Sequence, residues 1–135
     1  MQSRIIWGND IMLLYTIQIP VAKKLGLDKD SRYLDITVKS GDKAFAPNWT
    51  MVMGSKQCKI SDDEYTRQYT ELMRQSYTQN RQRWDEVLNL DEVILACYCK
   101  ADSFCHRYLL KDMLVKCGTE YVGEIRSLND LRHWP

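Results

Sequence analysis

Val93-Ile94-Leu95-Ala96-Cys97, then Tyr98-Cys99-Lys100-Ala101-Asp102-Ser103, then Phe104-Cys105-His106-Arg107-Tyr108-Leu109-Leu110, is the stretch on which the fold turns. Its first five residues are an unbroken apolar run of strand length. A strand wetted on one face alternates apolar and polar residues. A run without alternation predicts burial on both faces, as in a parallel sheet covered by helices. The polar residues Lys100 to Ser103 end the run. A helix is expected from about Phe104 to Cys117, with Asp102 or Ser103 as its N-cap and Gly118 beyond its end. Leu109, Leu110, Met113, Leu114 and Cys117 recur at helical steps and form its apolar stripe.

The same pattern extends outward. Ser61-Asp62-Asp63-Glu64 has capping-box spacing, and its acidic residues suit the positive end of a helix dipole. Tyr65, Tyr69, Leu72, Met73, Tyr77, Trp84, Val87 and Leu88 then mark one face of a long helix, broken near Thr78-Gln79-Asn80. Met12 to Ile17 reads as a first strand, Pro20 to Leu25 as a short helix closed by Gly26, and Tyr33 to Val38 as a second strand. Pro47 is placed to open a short helix through Met53 that Gly54 stops. Thr119 to Val122 reads as a last short strand, and the segment from Arg126 to Pro135 is a polar tail. This order predicts a single α/β domain over residues 1–135. Its sheet is small and mainly parallel, flanked by helices in a Rossmann-like three-layer arrangement.

Composition sets limits. With 135 residues, 44% of them hydrophobic and 27% charged, the chain suits one hydrophobic core. No apolar run approaches the ~20 residues of a membrane helix. Met1-Gln2-Ser3-Arg4 does not read as a signal peptide, so a cytoplasmic location is expected. A net charge of +1 excludes nucleic-acid binding by bulk charge. Five cysteines, an odd number, argue against a disulfide framework; Cys97, Cys99 and Cys105 cluster, while Cys58 and Cys117 stand apart.

In open α/β sheets, ligands bind beyond the carboxyl ends of strands. The expected site is therefore a pocket at the end of strand 93–97 that binds an anionic small molecule or nucleotide. Cys105 and His106 fall at a helix start, where free N–H groups favour a thiolate or a bound anion, and Arg107 adds a cation. Cys97, Cys99 and Tyr98 supply the opposite wall, and Asp35, bracketed by Lys39, reaches the pocket edge. Three readings of the cluster stay open. In the first, Cys105 is a nucleophilic or redox thiol assisted by His106 or Arg107. Because adjacent helical residues do not face each other, His106 then acts on the substrate or on Cys97 or Cys99 rather than on Cys105. In the second, Cys97, Cys99, Cys105 and His106 hold zinc, although paired zinc cysteines usually leave two to four residues between them. In the third, the thiols are core residues, His106 places a nitrogen on a backbone carbonyl and Arg107 caps a carboxylate.

Two further patterns bear on partners. Arg67, Arg74 and Arg81 recur every seven residues and line one helix face, suited either to phosphates or to pairing with Asp63, Glu71 and Asp85. Trp7, Trp49, Tyr98 and Phe104 are candidates for stacking on a base or for the core. If the chain is an enzyme, thiol-based or hydrolytic nucleotide chemistry is expected. The alternative is a non-enzymatic protein that binds nucleic acid or a protein partner.

Leu95-Ala-Cys-Tyr-Cys-Lys with Phe104-Cys-His-Arg-Tyr-Leu-Leu resembles the signature of domain-of-unknown-function family 488. Phe45-Ala-Pro-Asn-Trp, Lys59-Ile-Ser-Asp-Asp-Glu-Tyr, Tyr69-Thr-Glu-Leu, Leu34-Asp-Ile-Thr-Val and Tyr15-Thr-Ile resemble its upstream segments, so the likeness covers roughly residues 12–117. Gln18-Ile19 stands where the family often has Gly-His, and Thr37 where it often has Arg. The resemblance implies a compact α/β fold and no particular activity, and it is consistent with a phage or bacterial accessory protein.

Overall fold

The structure, a computed structural model, describes residues 11–131. Its centre is a four-stranded sheet in the order β2-β3-β1-β4, with every pairing parallel. The strands are β1 (Leu13–Gln18), β2 (Tyr33–Asp35), β3 (Glu92–Cys97) and β4 (Glu120–Ile125). The helices are α1 (Ile19–Leu25), α2 (Trp49–Lys56), α3 (Asp62–Gln79), α4 (Arg81–Leu88) and α5 (His106–Lys116), with 3-10 turns at Leu27–Lys29 and Leu128–Asp130. No described helix is long and apolar enough to cross a membrane.

The unbroken run of β3 is explained by its place. Val93 and Leu95 enter one apolar cluster with Leu14 of β1 and with Tyr69, Met73, Trp84, Leu110 and Leu114 of the helices. Ile94 and Ala96 enter the other, with Tyr15, Ile17, Ile19, Ala22 and Leu131. Both faces are covered, so no position is left for a polar residue, and the expected three-layer α/β arrangement is what forms. Polar groups also pin the larger layer: Tyr69 donates to the Phe45 carbonyl at 2.6 Å, Ser76 to the Ala44 carbonyl at 2.5 Å, and Trp84 Nε1 to Ser76 Oγ at 3.0 Å.

Helix starts and stops follow local chemistry. Ser61 Oγ accepts the Glu64 N–H at 3.0 Å, as a cap should, but the Glu64 carboxylate is taken by Arg67 and Gln68 instead of reaching back. The long apolar face divides into α3 and α4 at Asn80, where the sequence places a break. Gly26 closes α1 at φ 74°, in the left-handed region.

Five expectations need correction. The second strand stops at Asp35 rather than Val38, because Asp35 Oδ1 accepts both the N–H and the hydroxyl of Thr37 at 2.8 and 2.7 Å and turns the chain. The helix after Pro47 begins at Trp49, capped by Asn48 Oδ1 on the Met51 N–H at 2.9 Å, and runs through Gly54. Neither Asp102 nor Ser103 caps α5: Ser103 folds back onto the Lys100 carbonyl at 2.5 Å, Asp102 takes φ 65°, and Cys105 occupies the cap position. Cys117 of the expected α5 stripe is exposed. The last strand runs to Ile125, and the tail after it buries Leu131 against the sheet. Trp7 lies outside the described residues.

Candidate functional site

Cys97 is the last residue of β3, Cys99 lies two residues on, and Cys105 precedes α5. The loop between them returns the chain so that the three sulfur atoms lie within 4.8 Å of one another, close enough to hold a metal ion. Cys97 and Cys105 are buried, and Cys99 is half-buried. Short spacing in sequence is no obstacle here, because Cys105 is in extended backbone (φ −157°, ψ 143°) outside the helix. For the same reason His106 does face it. His106 Nδ1 lies 4.0 Å from Cys105 Sγ and 3.9 Å from Cys97 Sγ, which corrects the expectation drawn from helical geometry.

The tautomer of His106 follows from its other nitrogen. Nε2 is 2.6 Å from the Ile36 carbonyl, which only accepts, so Nε2 carries the proton and Nδ1 turns its lone pair toward the sulfurs. Burial lowers the imidazole pKa, against the pull of the Ile36 carbonyl and Cys99, and keeps the ring neutral. The three thiols are pulled in different directions. Hydrogen bonds from Cys105 and Cys97 bring the Cys99 thiol down to about 2, outweighing its burial. Cys105, held by its bonds to Cys97 and Cys99 and by burial, is driven up. For Cys97 the Cys105 bond pulls downward, but the bond to Cys99 and burial carry it up to about 11. The downward pull within the cluster thus falls on Cys99, and burial and its sulfur neighbours oppose it at Cys105.

Arg107 is fully buried. Its Nη1 donates to the Cys99 carbonyl at 2.9 Å, and its Nη2 bonds Glu124 Oε2 at 3.1 Å and the Tyr108 hydroxyl at 3.0 Å. Glu124 is further satisfied by the hydroxyls of Thr16 at 2.6 Å and Tyr108 at 2.9 Å. Burial alone would lower the guanidinium pKa; the hydrogen bond and charge of Glu124 hold it above its ordinary value. Arg107 thus grips the cysteine loop from behind and does not line the adjoining cavity.

That cavity, of about 190 Å³, opens beside the cluster. Cys97, Cys99, Cys105, His106 and Tyr98 line it. Asp35 does not: its carboxylate is occupied by Thr37 and Ser40 in the turn after β2. Pro47, Val52, Lys56, Tyr65 and Phe104 complete much of the lining. Of these, Tyr65 sits on the helical stripe that reads as core, and nothing in the sequence links Lys56 or Glu124 to the cysteines. Trp49 is exposed and lies outside the lining. The three arginines of α3 and α4 pair with carboxylates: Arg67 with Glu64 at 2.5 Å, Arg74 with Glu71 at 3.7 Å and Arg81 with Asp85 at 3.1 Å.

The cysteine loop, the Cys-His-Arg start of α5 and the strand before them lie inside a family match. A model described as the active DUF488-N3 subclade matches residues 18–118. The chain belongs to this DUF488 family. No curated protein and no solved structure matches it. The match covers the cysteines, His106 and Arg107 but ends before Glu124, the buried partner of this DUF488 chain's arginine. Thr37, at the position where DUF488 proteins often have Arg, is spent on the Asp35 turn.

Proposed function

We propose that this DUF488 protein binds a small anionic molecule of the nucleotide class in the cavity beyond β3, and that a zinc ion fixes the cavity's cysteine wall. Cys97, Cys99, Cys105 and His106 Nδ1 would hold the ion. The observation that carries this reading is the convergence of three sulfurs within 4.8 Å, with a ring nitrogen 3.9 and 4.0 Å from two of them. A tetrahedral zinc with bonds of about 2.3 Å to sulfur sets its sulfurs about 3.8 Å apart, so a small contraction completes the set. Two features favour it. The Ile36 carbonyl holds the His106 ring as a second partner does in zinc sites, leaving Nδ1 free to ligate. Cys99 already favours the ionised form that a metal requires. Three thiolates and one imidazole fill all four positions, which is the pattern of a structural zinc, so the ligand binds beside the ion.

A second reading rests on Cys99 being the least buried of the three thiols and the one whose neighbours favour ionisation. In the metal-free protein, Cys99 would act as a nucleophile toward a ligand in the cavity, with Cys97 and Cys105 as hydrogen-bond donors.

Metal analysis combined with thiol labelling tests both. Protein purified without chelator is expected to carry one zinc per chain. Cys97, Cys99 and Cys105 should then resist labelling until a chelator is added, while exposed Cys58 and Cys117 label in either state. A metal-free protein with one fast buried-cluster thiol, lost in Cys99→Ser, overturns zinc and supports the nucleophile. A metal-free protein with three slow cluster thiols overturns both.

A further inference from the structure

We infer that the cavity selects a single flat ring carrying an anionic group, so that a pyrimidine nucleotide fits and a purine nucleotide does not. This rests on the cavity of the proposed function and not on the ion. Size is the first argument. At about 190 Å³ the cavity is little larger than one of about 150 Å³ that takes benzene, and smaller than the roughly 300–1,000 Å³ typical of pockets that enclose whole ligands. One six-membered ring with its substituents fills it, and a sugar and phosphate remain at the mouth.

The lining matches a ring. Tyr98 and Phe104 are 55% and 38% exposed, large apolar surfaces left uncovered beside the cavity. Phe104 is held edge-on to Tyr65, with centroids 5.5 Å apart at 86°, so it is a fixed wall. Aromatic faces of this kind stack on bases.

The polar groups specify what the ring must carry. Tyr65 is 95% buried and lines the cavity, and its hydroxyl, bonded to no described residue, is not sealed from solvent and is open to the cavity. An unpaired phenol in such a place is a donor awaiting an acceptor, and an exocyclic carbonyl of a pyrimidine supplies one. Lys56 is the one charged lysine, arginine or carboxylate side chain among the described lining residues, and it makes no ion pair with a described residue. It is exposed, which suits a phosphate outside the cavity rather than a group within it.

Calorimetry on the protein as purified, with uridine monophosphate, uridine, adenosine monophosphate and inorganic phosphate, tests this. Uridine monophosphate should bind at least about tenfold more tightly than adenosine monophosphate, and inorganic phosphate alone should neither bind measurably nor compete. Lys56→Ala should weaken the monophosphate and leave uridine unchanged. Tyr65→Phe, which keeps the ring that packs against Phe104, should weaken both about two- to tenfold, the range of one hydrogen bond. Equal binding of the two monophosphates, competition by phosphate alone, or no binding by either pyrimidine ligand overturns the inference. Zinc content measured on the same samples keeps the two proposals apart. Equal binding of the two monophosphates sinks only the ring, binding of neither with zinc intact sinks the nucleotide cavity with it, and ligand binding without zinc sinks only the ion.

Discussion

His106 at the start of α5 donates its Nε2 proton to the carbonyl of Ile36, just after β2, across 2.6 Å and seventy residues of chain. This bond joins the short edge strand to the cysteine loop and sets which nitrogen faces the sulfurs. His106→Ala leaves the Ile36 carbonyl buried and unpaired, and is expected to cost about 1–3 kcal/mol of stability. Urea unfolding in the presence of chelator measures it. Unchanged stability would mean that the carbonyl finds water and that the bond is not what holds the ring.

Arg107 and Glu124 form a charge pair whose side chains are 0% and 5% exposed. Arg107→Met strands the carboxylate in the interior and is expected to lose about 3–5 kcal/mol. Arg107→Met combined with Glu124→Leu should recover much of that loss, since no uncompensated charge remains. Denaturant midpoints of the wild type, both single variants and the double variant close the cycle. A double variant as unstable as Arg107→Met would show that the bond to the Cys99 carbonyl, not the ion pair, carries the energy.

Asp30 is clamped by Arg32 through two side-chain bonds of 2.8 Å, and these hold its carboxyl below the usual range. A carboxylate with a folded pKa below its unfolded one adds stability in full above the unfolded value. That stability is lost as pH falls through the folded value. The advantage of wild type over Asp30→Asn should therefore be constant near neutrality and shrink as pH drops below about 4. For a pair that still touches water its size is about 1 kcal/mol or less. Paired thermal melts across the acid range check the sign; an advantage that grows on acidification would contradict it.

Gly41 sits against its own turn. A Cβ there would meet the backbone of Thr37 and of Asp35, whose oxygen is 2.7 Å from the ideal position. Gly41→Ala should move the whole 35–41 turn and lower the melting temperature by several degrees, in line with the few kcal/mol of a forced backbone shift. Because Ile36 belongs to that turn, the variant should also loosen the His106 ring, read as a shift of its imidazole proton resonances.

The parts legible in the sequence are those whose signal is local. Val93 to Ala96 announces a doubly covered strand, Tyr65 to Leu88 an apolar face, and Ser61 its cap, because each is written at a fixed period or within one turn. The cluster of Cys97, Cys99 and Cys105 is likewise visible as spacing. What the sequence hides depends on distant partners or on competition between neighbours. Asp35 reads as a pocket residue until its carboxylate is seen to fold onto Thr37 and Ser40. Arg107 reads as an anion-binding group, but the sheet brings Glu124, seventeen residues later, against it. Tyr65 reads as core because its ring is core, and its place in the cavity lining depends on segments far from it in the chain.

The all-parallel sheet has a kinetic consequence. β1 pairs with β3 by setting Leu13 opposite Glu92, and with β4 by setting Leu14 opposite Tyr121. Among the described residues no two strands adjacent in sequence form a hairpin, so each pairing must close a long loop before it is rewarded, a slow kind of assembly. The three cysteines, by contrast, leave the ribosome as near neighbours. Their sulfurs are at hand before the first and last strands have met, and the facing wall, from Thr37 to Tyr65, has already been synthesised when they emerge.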